Sequence, residues 1–336
     1  MEKYSFFVGI DISKEHLDFC IRNSSARLDF NRVPNDAKGI KQAVKWMRSF
    51  EGFTIKGCLV CLEHTGIYGL TALERLHGMG FAVWLEVAAC IKNGSGSLMR
   101  GKTDKVDAGR IADYAHRFRA DVKLWAPPRK ELTLLADLMA SRARLLGVIS
   151  RLGVPVNEIK TFKAKGHYEQ IKAASKKTIE AARKEAKAIE KRILEIISGD
   201  PSLARLYKVV TSVQGVGFVT ATSLIIATDE FKSINDPRKL ACNAGCAPFE
   251  HSSGTSVRGR NKVSHKANKQ LKSLLHMCAT SALKAEGEFK VYFERKIAEG
   301  KNKFVVINAI RNKIIHRVCA CVREDRLYTK FPKIVA

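Results

Sequence analysis

Asp104 and Asp107 stand three residues apart in the run Lys102-Thr103-Asp104-Lys105-Val106-Asp107-Ala108. Val106, Ile111, Ala112 and Ala115 recur at helical intervals behind Thr103, a residue able to cap, so the run predicts a helix. A helix puts both carboxylates on one face. Two acids so placed are either a solvated acidic edge or part of a divalent-metal site. Asp11 and Glu63 shift the balance toward the second, because each closes an apolar, strand-like run upstream.

Composition limits the partners. The chain has 336 residues, enough for two or three domains, and 46% hydrophobic content excludes a disordered protein. Lys and Arg outnumber Asp and Glu by 59 to 33, a net charge of +26, which points to a polyanion. No run of eighteen apolar residues exists and the first residues lack the features of a signal peptide, so a cytoplasmic, nucleoid-associated protein without a membrane partner is expected. The nine cysteines fit a reducing compartment. Cys58 and Cys61 fall in a strand-like run that points them to opposite faces, and no second pair at zinc spacing accompanies them, so they read as small buried residues.

The elements that must position the acids can be read in order. Residues 4–12, 16–22 and 27–33 predict a three-stranded meander. Asp36 is placed to cap a helix carrying Ile40, Val44 and Met47 inward, and residues 57–63 predict a buried central strand. A helix at 70–77, a strand at 81–87 and the Asp104/Asp107 helix follow, with Asn93-Gly94-Ser95-Gly96-Ser97 as a flexible connector. This order, with acids closing the first and fourth strands, resembles the ribonuclease H and RuvC-like fold. The resemblance implies that Asp11, Glu63, Asp104 and Asp107 converge. Four carboxylates cannot all stay ionised in one pocket without cations between them. Oxygen-only ligands favour Mg2+ or Mn2+, and two such ions can stabilise both the attacking and the leaving oxygen of a phosphodiester. Sugar-kinase and actin-like ATPases also carry a Gly-Ile-Asp like Gly9-Ile10-Asp11, but they need Gly-rich phosphate loops, which the sequence lacks.

After Pro127-Pro128, two heptad seams follow: Leu134, Leu138, Ser141, Leu145, Val148 and Leu152, then Ile179, Ala182, Ala186, Ile189, Ile193 and Ile196. They predict two long helices, separated at Pro155 and the polar 160–166 stretch, that fold back as a hairpin or pair with another chain. The outer faces are basic, either as a solvated surface or as a nucleic-acid contact. Gly199-Asp200-Pro201 ends the unit. The expected domains are thus 1–125, a coiled-coil hairpin at 126–200, and a mainly α-helical domain at 201–336.

In the last of these, Gly215 and Gly217 form a Gly-x-Gly turn between two helical stretches. Such a turn either presents backbone N–H groups to a phosphate, as helix-hairpin-helix modules do, or lets two helices pack closely. From His251 to Ala285 there is no acid, while Arg258, Arg260, Lys262, Lys266, Lys269, Lys272 and Lys284 supply seven cations. The helix from Lys266 buries Leu271, Leu274, Leu275 and Cys278, and a later helix at 303–322 buries Val306, Ile310, Ile314 and Val318. Ser252, Ser253, Thr255 and Ser256 read as loop hydroxyls.

Four stretches in this order, Gly9-Ile10-Asp11, Glu63-His64-Thr65-Gly66-Ile67-Tyr68, the Lys102–Ala108 run and Ser253-Gly254-Thr255-Ser256-Val257-Arg258-Gly259, resemble the IS110-type transposases over nearly the whole chain. The resemblance implies a RuvC-like DEDD domain with Asp11, Glu63, Asp104 and Asp107 as metal ligands, a coiled-coil insertion, and Ser253 as nucleophile, with Ser252 the alternative. It further implies DNA as donor and target and a guide RNA from the element itself. Because the acids and the serine lie in different domains separated by long helices, a dimer or tetramer in which acids of one subunit meet the serine of another is expected. Lys102, Lys105, Gly215, Gly217, Arg258, Arg260, Lys262, Lys266 and Lys269 are the expected nucleic-acid contacts.

Overall fold

A computed structural model describes residues 3–23, 28–64, 66–94, 103–162, 165–253, 257–263 and 267–329. The chain forms two compact units, Met1–Pro127 and Pro128–Ala336.

The first unit contains β1 (Phe6–Ile12), β2 (His16–Asn23), β3 (Leu28–Pro34), α1 (Ala37–Met47), β4 (Cys58–Glu63), α2 (Leu70–Gly78), β5 (Ala82–Glu86), α3 (Ala88–Gly94) and α4 (Asp104–Arg117). The strands make one mixed sheet, β3-β2-β1-β4-β5, antiparallel within the meander and parallel from β1 through β4 to β5. Alternation along β1 explains why both faces are covered. Phe6, Val8, Ile10 and Ile12 join the core with Ile40, Val44, Met47, Leu73 and Leu76 of α1 and α2. Phe7 joins the opposite core with Ile91, Ile111 and Tyr114 of α3 and α4. Cys58 and Cys61 divide between the same two cores, as their spacing requires. This mixed sheet fits an RNase H-like DEDD domain.

Local signals set the helix starts. The Asp36 carboxylate accepts from the Gly39 amide at 2.7 Å, and the Thr103 hydroxyl accepts from Val106 at 3.3 Å. The connector expected at 93–97 is in part corrected: Asn93 and Gly94 end helix α3, and 95–97 lie outside the described residues.

The second unit opens with α5 (Lys130–Phe162) and α6 (Lys165–Gly199), which pack side by side and are joined by an Arg142–Glu190 ion pair at 2.6 Å. Helix α5 runs through Pro155 instead of stopping there. Its register also differs from the expected seam. Leu132, Leu135 and Met139 are buried, whereas Leu134 and Val148 are more than two-fifths exposed. In α6 the expected Ala182, Ala186 and Ile193 are buried. There follow α7 (Pro201–Ser212), α8 (Phe218–Ala227), α9 (Pro237–Asn243), a ribbon of β6 (Pro248–Ser253) and β7 (Val257–Val263), then α10 (Lys269–Ala282), α11 (Glu288–Ala298) and α12 (Lys303–Arg323). Asp200 caps α7, its carboxylate accepting from Leu203 at 2.9 Å. The core of the unit gathers the start of α5, the end of α6 and helices α7 to α12, with Val306, Ile310, Ile314 and Val318 of α12 buried as expected. Helix α10 begins at Lys269, capped by Asn268, and Leu274 is only partly buried. The ribbon departs from the expected loop: Ser252 and Ser253 stand on β6.

Candidate active site

Alternation puts Gly9 and Asp11 on the sheet face that α4 covers. A methyl group on Gly9 would run into the Ala108 carbonyl oxygen and the Ala112 backbone nitrogen, so α4 rests directly on β1 at this glycine. Asp107 and Asp104 lie in the first turn of that helix, where the helix dipole favours anions. Crossing at Gly9 therefore carries them toward Asp11.

Strand register adds the rest. Asp11 pairs with Asp18, Asp18 with Arg32, and Glu63 with Glu86, while the β1–β4 pairing ends at Ile10 and Leu62, one position before Asp11 and Glu63. Arg32, Asp18, Asp11, Glu63 and Glu86 thus form one charged row on the α4 side of the sheet.

The electrostatics show how close the acids are. Burial, then the Asp107 carboxylate, push the Asp11 carboxyl up to about 6, with Asp104 and Glu63 adding to the shift and the Ile12 amide opposing it. The other three acids named from the sequence thus lie within electrostatic reach of Asp11. Two guanidinium groups hold the helical pair. Arg32 donates to Asp104 at 2.7 Å and makes two bonds to Asp18 at 2.8 and 3.1 Å, while Arg110 donates to Asp107 at 2.7 Å. Glu86 accepts from the Val87 amide at 2.7 Å and the Tyr114 hydroxyl at 3.2 Å. Among the described residues, no three His, Cys, Asp or Glu side chains stand in chelating arrangement. The donor set still suits a hard divalent cation: it is all carboxylate oxygen, and burial and the neighbouring Asp107 raise the pKa of one member, which a bound cation would offset.

In the second unit Ser253 ends β6 opposite Val257, and Ser252 pairs with Arg258. Arg260 and Lys262 stand further along β7. The side chains of these serines and cations, like Lys102, Lys266 and residues 254–256, lie outside what the structure describes.

Comparison with known proteins adds an independent finding. The sequence pattern of the "Transposase IS116/IS110/IS902 family" matches residues 207–294, and the DEDD transposase pattern of IS110 matches residues 8–158. The chain belongs to the IS110 family of transposases. It is therefore an enzyme of DNA recombination. It is 25% identical over 331 residues to a pilin gene-inverting protein of Moraxella bovis, covering 96% of this chain and 98% of that one. It is 23% identical over 393 aligned positions to the IS116 uncharacterized 44.8 kDa protein of Streptomyces clavuligerus, covering 98% and 97%. Over 151 residues it is 28% identical to the IS110 uncharacterized 43.6 kDa protein of Streptomyces coelicolor, 45% of this chain and 36% of that one.

The remaining residues expected to contact nucleic acid occupy varied surroundings in this transposase. Lys105 is exposed, its ammonium 4.5 Å from the centre of the Phe30 ring. Lys269 is exposed at the start of α10. Gly217 caps α8 with open space beside it, whereas Gly215, at φ +88°, is turned against Cys278 and Ala282 of α10. Close packing thus accounts for the glycine at 215 without a ligand. Asp18, Arg32 and Glu86 are site residues that the sequence reading misses. The register of the Ser13–His16 turn would have placed Asp18, since Ile12 pairs with Leu17 and Asp11 with Asp18, whereas Arg32 follows only from the separate β2–β3 register.

Proposed function

We propose that this transposase exchanges DNA strands by a covalent route, with Asp11, Glu63, Asp104 and Asp107 as metal-binding carboxylates and Ser253 as nucleophile. The observation that carries the reading is geometric: α4 rests on β1 at Gly9, which brings its first-turn Asp104 and Asp107 toward the neighbouring strand ends that carry Asp11 and Glu63. The Ser253 oxygen attacks the scissile phosphorus, the phosphorus–3′-oxygen bond breaks, and the serine proton leaves with the 3′ oxygen as a hydroxyl. The phosphodiester energy is kept in the serine ester, ready for rejoining. Bound among the acids, Mg2+ or Mn2+ would supply Lewis-acid charge to the reacting phosphate. The chain's own part is to aim four carboxylates, with Asp11 partly withdrawn from water. Arg258 and Arg260, five and seven residues past Ser253, are placed in sequence to neutralise charge on the phosphate.

The acids and the serine belong to different units, so the reading includes at least a dimer, in which one chain's acids serve another's serine. It also includes a coiled-coil role for α5 and α6 and a guide RNA. An excess of 26 positive charges without a recognisable sequence-reading helix supports recognition of polyanions by backbone, with base pairing left to RNA. Between moving an element and inverting a segment, the near full-length match to a pilin gene-inverting protein supports inversion as the second use.

The test is a suicide DNA substrate that traps a protein–DNA adduct. Wild type is expected to form the adduct only with a divalent cation, and Ser253→Ala to form none. An adduct that persists in Ser253→Ala but is lost in Ser252→Ala moves the assignment to Ser252. Cleavage with no adduct in any chain replaces it with a water-using nuclease. Sequencing of RNA that copurifies with the protein tests the guide.

A further inference from the structure

Among the described residues, Arg311 on α12 is a cation that pairs with no carboxylate; its Nη2 lies 2.6 Å from Nδ1 of His276 on α10. Other arginines of the unit differ in this respect. On the same helix Arg317 makes two bonds to Glu288, at 2.8 and 2.7 Å, and on α7 Arg205 pairs with Asp325 at 2.8 Å. No acid occurs from His251 to Ala285, so α10 itself has none to offer. The Arg311 Nε is cut off from water and has no described acceptor. Such a guanidinium is costly to keep unless an anion completes it.

The surroundings make the place a seat. Lys272 and His276 are four apart on α10 and share a face. Lys272 packs along Gly245, and Arg311 and Lys272 both reach Cys246 electrostatically. Asn308, one turn before Arg311, donates to the Cys246 carbonyl at 2.9 Å. Cys246 stands two residues before β6 begins, so the cations gather at the root of the ribbon that carries Ser253. With Nδ1 accepting from Arg311, the neutral imidazole carries its proton on Nε2 and keeps one donor for an incoming oxygen.

We propose that Arg311, His276 and Lys272 form a binding seat for one backbone phosphate of the DNA, at the root of the β6–β7 ribbon. Arg311 donates two N–H groups to the phosphate oxygens, and Lys272 adds charge beside it. The seat holds the duplex in register below the ribbon without reading its sequence.

The experiment measures binding of the full chain to a labelled DNA duplex across a salt series, with thermal unfolding in parallel. Arg311→Met is expected to weaken binding about tenfold and to shallow the slope of log K against log salt by about 0.9, the loss of one phosphate contact. It is expected to leave the melting temperature unchanged or higher, since an incompletely bonded cation is removed. Arg311→Lys should keep the slope and lose part of the affinity, and His276→Gln should weaken binding with the slope kept. Unchanged binding in Arg311→Met overturns the seat, as does a loss accompanied by a lowered melting temperature, which would make Arg311 a packing residue. An RNA duplex of the same sequence is expected to lose less affinity; an equal or greater loss assigns the seat to RNA and overturns it for DNA. If wild type binds neither duplex, the recombination reading itself fails, whereas wild-type binding with an indifferent Arg311→Met sinks only the seat.

Discussion

Gly9 touches α4 through its bare Cα, opposite the peptide of Ala108. The obstacle to any side chain is helix backbone, which cannot swing aside as a side-chain end can. Gly9→Ala is therefore expected to push α4 off β1 and to destabilise the first unit by at least about 2–3 kcal/mol, the upper range for overpacking. All three tryptophans, Trp46, Trp84 and Trp125, lie in this unit. Urea unfolding followed by tryptophan fluorescence reads the loss directly. The same variant should relax the Asp11 carboxyl toward an ordinary pKa, because Asp107 and Asp104 would recede. A variant of wild-type stability would show that the contact is not tight.

Much of this arrangement is legible in the amino-acid sequence. Period-two runs, the Asp36 and Thr103 caps, and acids at strand ends identify the strands, the helices and the four carboxylates, because each signal is local. The register of the long helices is not, since Leu134 and Val148 fit a seam as well as Leu132, Leu135 and Met139 do, while Leu138 packs against the core as expected. Only the neighbouring helices decide which stripe is buried. The ribbon escapes because a glycine- and serine-rich run carries no alternation. Asp18, Arg32 and Glu86 escape because their role comes from cross-strand register, which a single strand does not declare.

Arg32 is shared between Asp18, which is buried, and Asp104, which is exposed. Removing it has opposite consequences for the two acids. Arg32→Gln should lower the melting temperature, because Asp18 loses its partner. It should also strengthen Mn2+ binding, by roughly a few-fold, because Asp104 is freed from a competing cation. Isothermal titration with Mn2+ checks the second effect without reference to catalysis. A weaker Mn2+ affinity would instead make Arg32 a support for the acids.

The pH dependence should have opposite signs in the two units. Asp11 is raised to about 6 in the folded chain, so the folded state holds more protons than the unfolded one between about pH 4 and 6. Stability of the first unit should fall as pH rises through that window and level off above it. Asp11→Asn should flatten the profile and make the unit more stable than wild type at pH 7. In the second unit the Leu203 amide, Ser202 and Arg129 hold Asp200 well below the usual carboxylate range, and Arg317 holds Glu288 down, against burial. Their contribution is present above about pH 4 and is lost as pH falls through the lowered folded values. Tryptophan fluorescence for the first unit and far-ultraviolet circular dichroism for the whole chain separate the two trends.

Between α8 and α9 the backbone makes an uncommon turn. Asp229, Glu230 and Phe231 have φ of 48°, 56° and 63°, three L-residues in succession in the left-handed region. Such a run costs about 1–2 kcal/mol per residue. What holds it is visible on either side: Phe231 is buried, its amide donates to the Thr228 hydroxyl at 3.0 Å, and Glu230, with 6% of its side chain exposed, accepts from Arg129 at 2.6 Å and from Lys232 at 2.5 Å. Arg129 in turn reaches Asp200 at the head of α7, tying three segments together. Arg129→Gln should destabilise the second unit by about 1–3 kcal/mol, leaving a buried carboxylate short of a partner. Asp229→Gly should leave stability unchanged or raise it by roughly 0.5–1 kcal/mol, because glycine adopts this backbone without strain. The double variant Arg129→Gln with Glu230→Gln should recover at least about 0.5 kcal/mol relative to the sum of the singles. Urea titrations of the four chains, read by circular dichroism, complete the cycle; simple additivity would mean that the ion pair does not hold the turn.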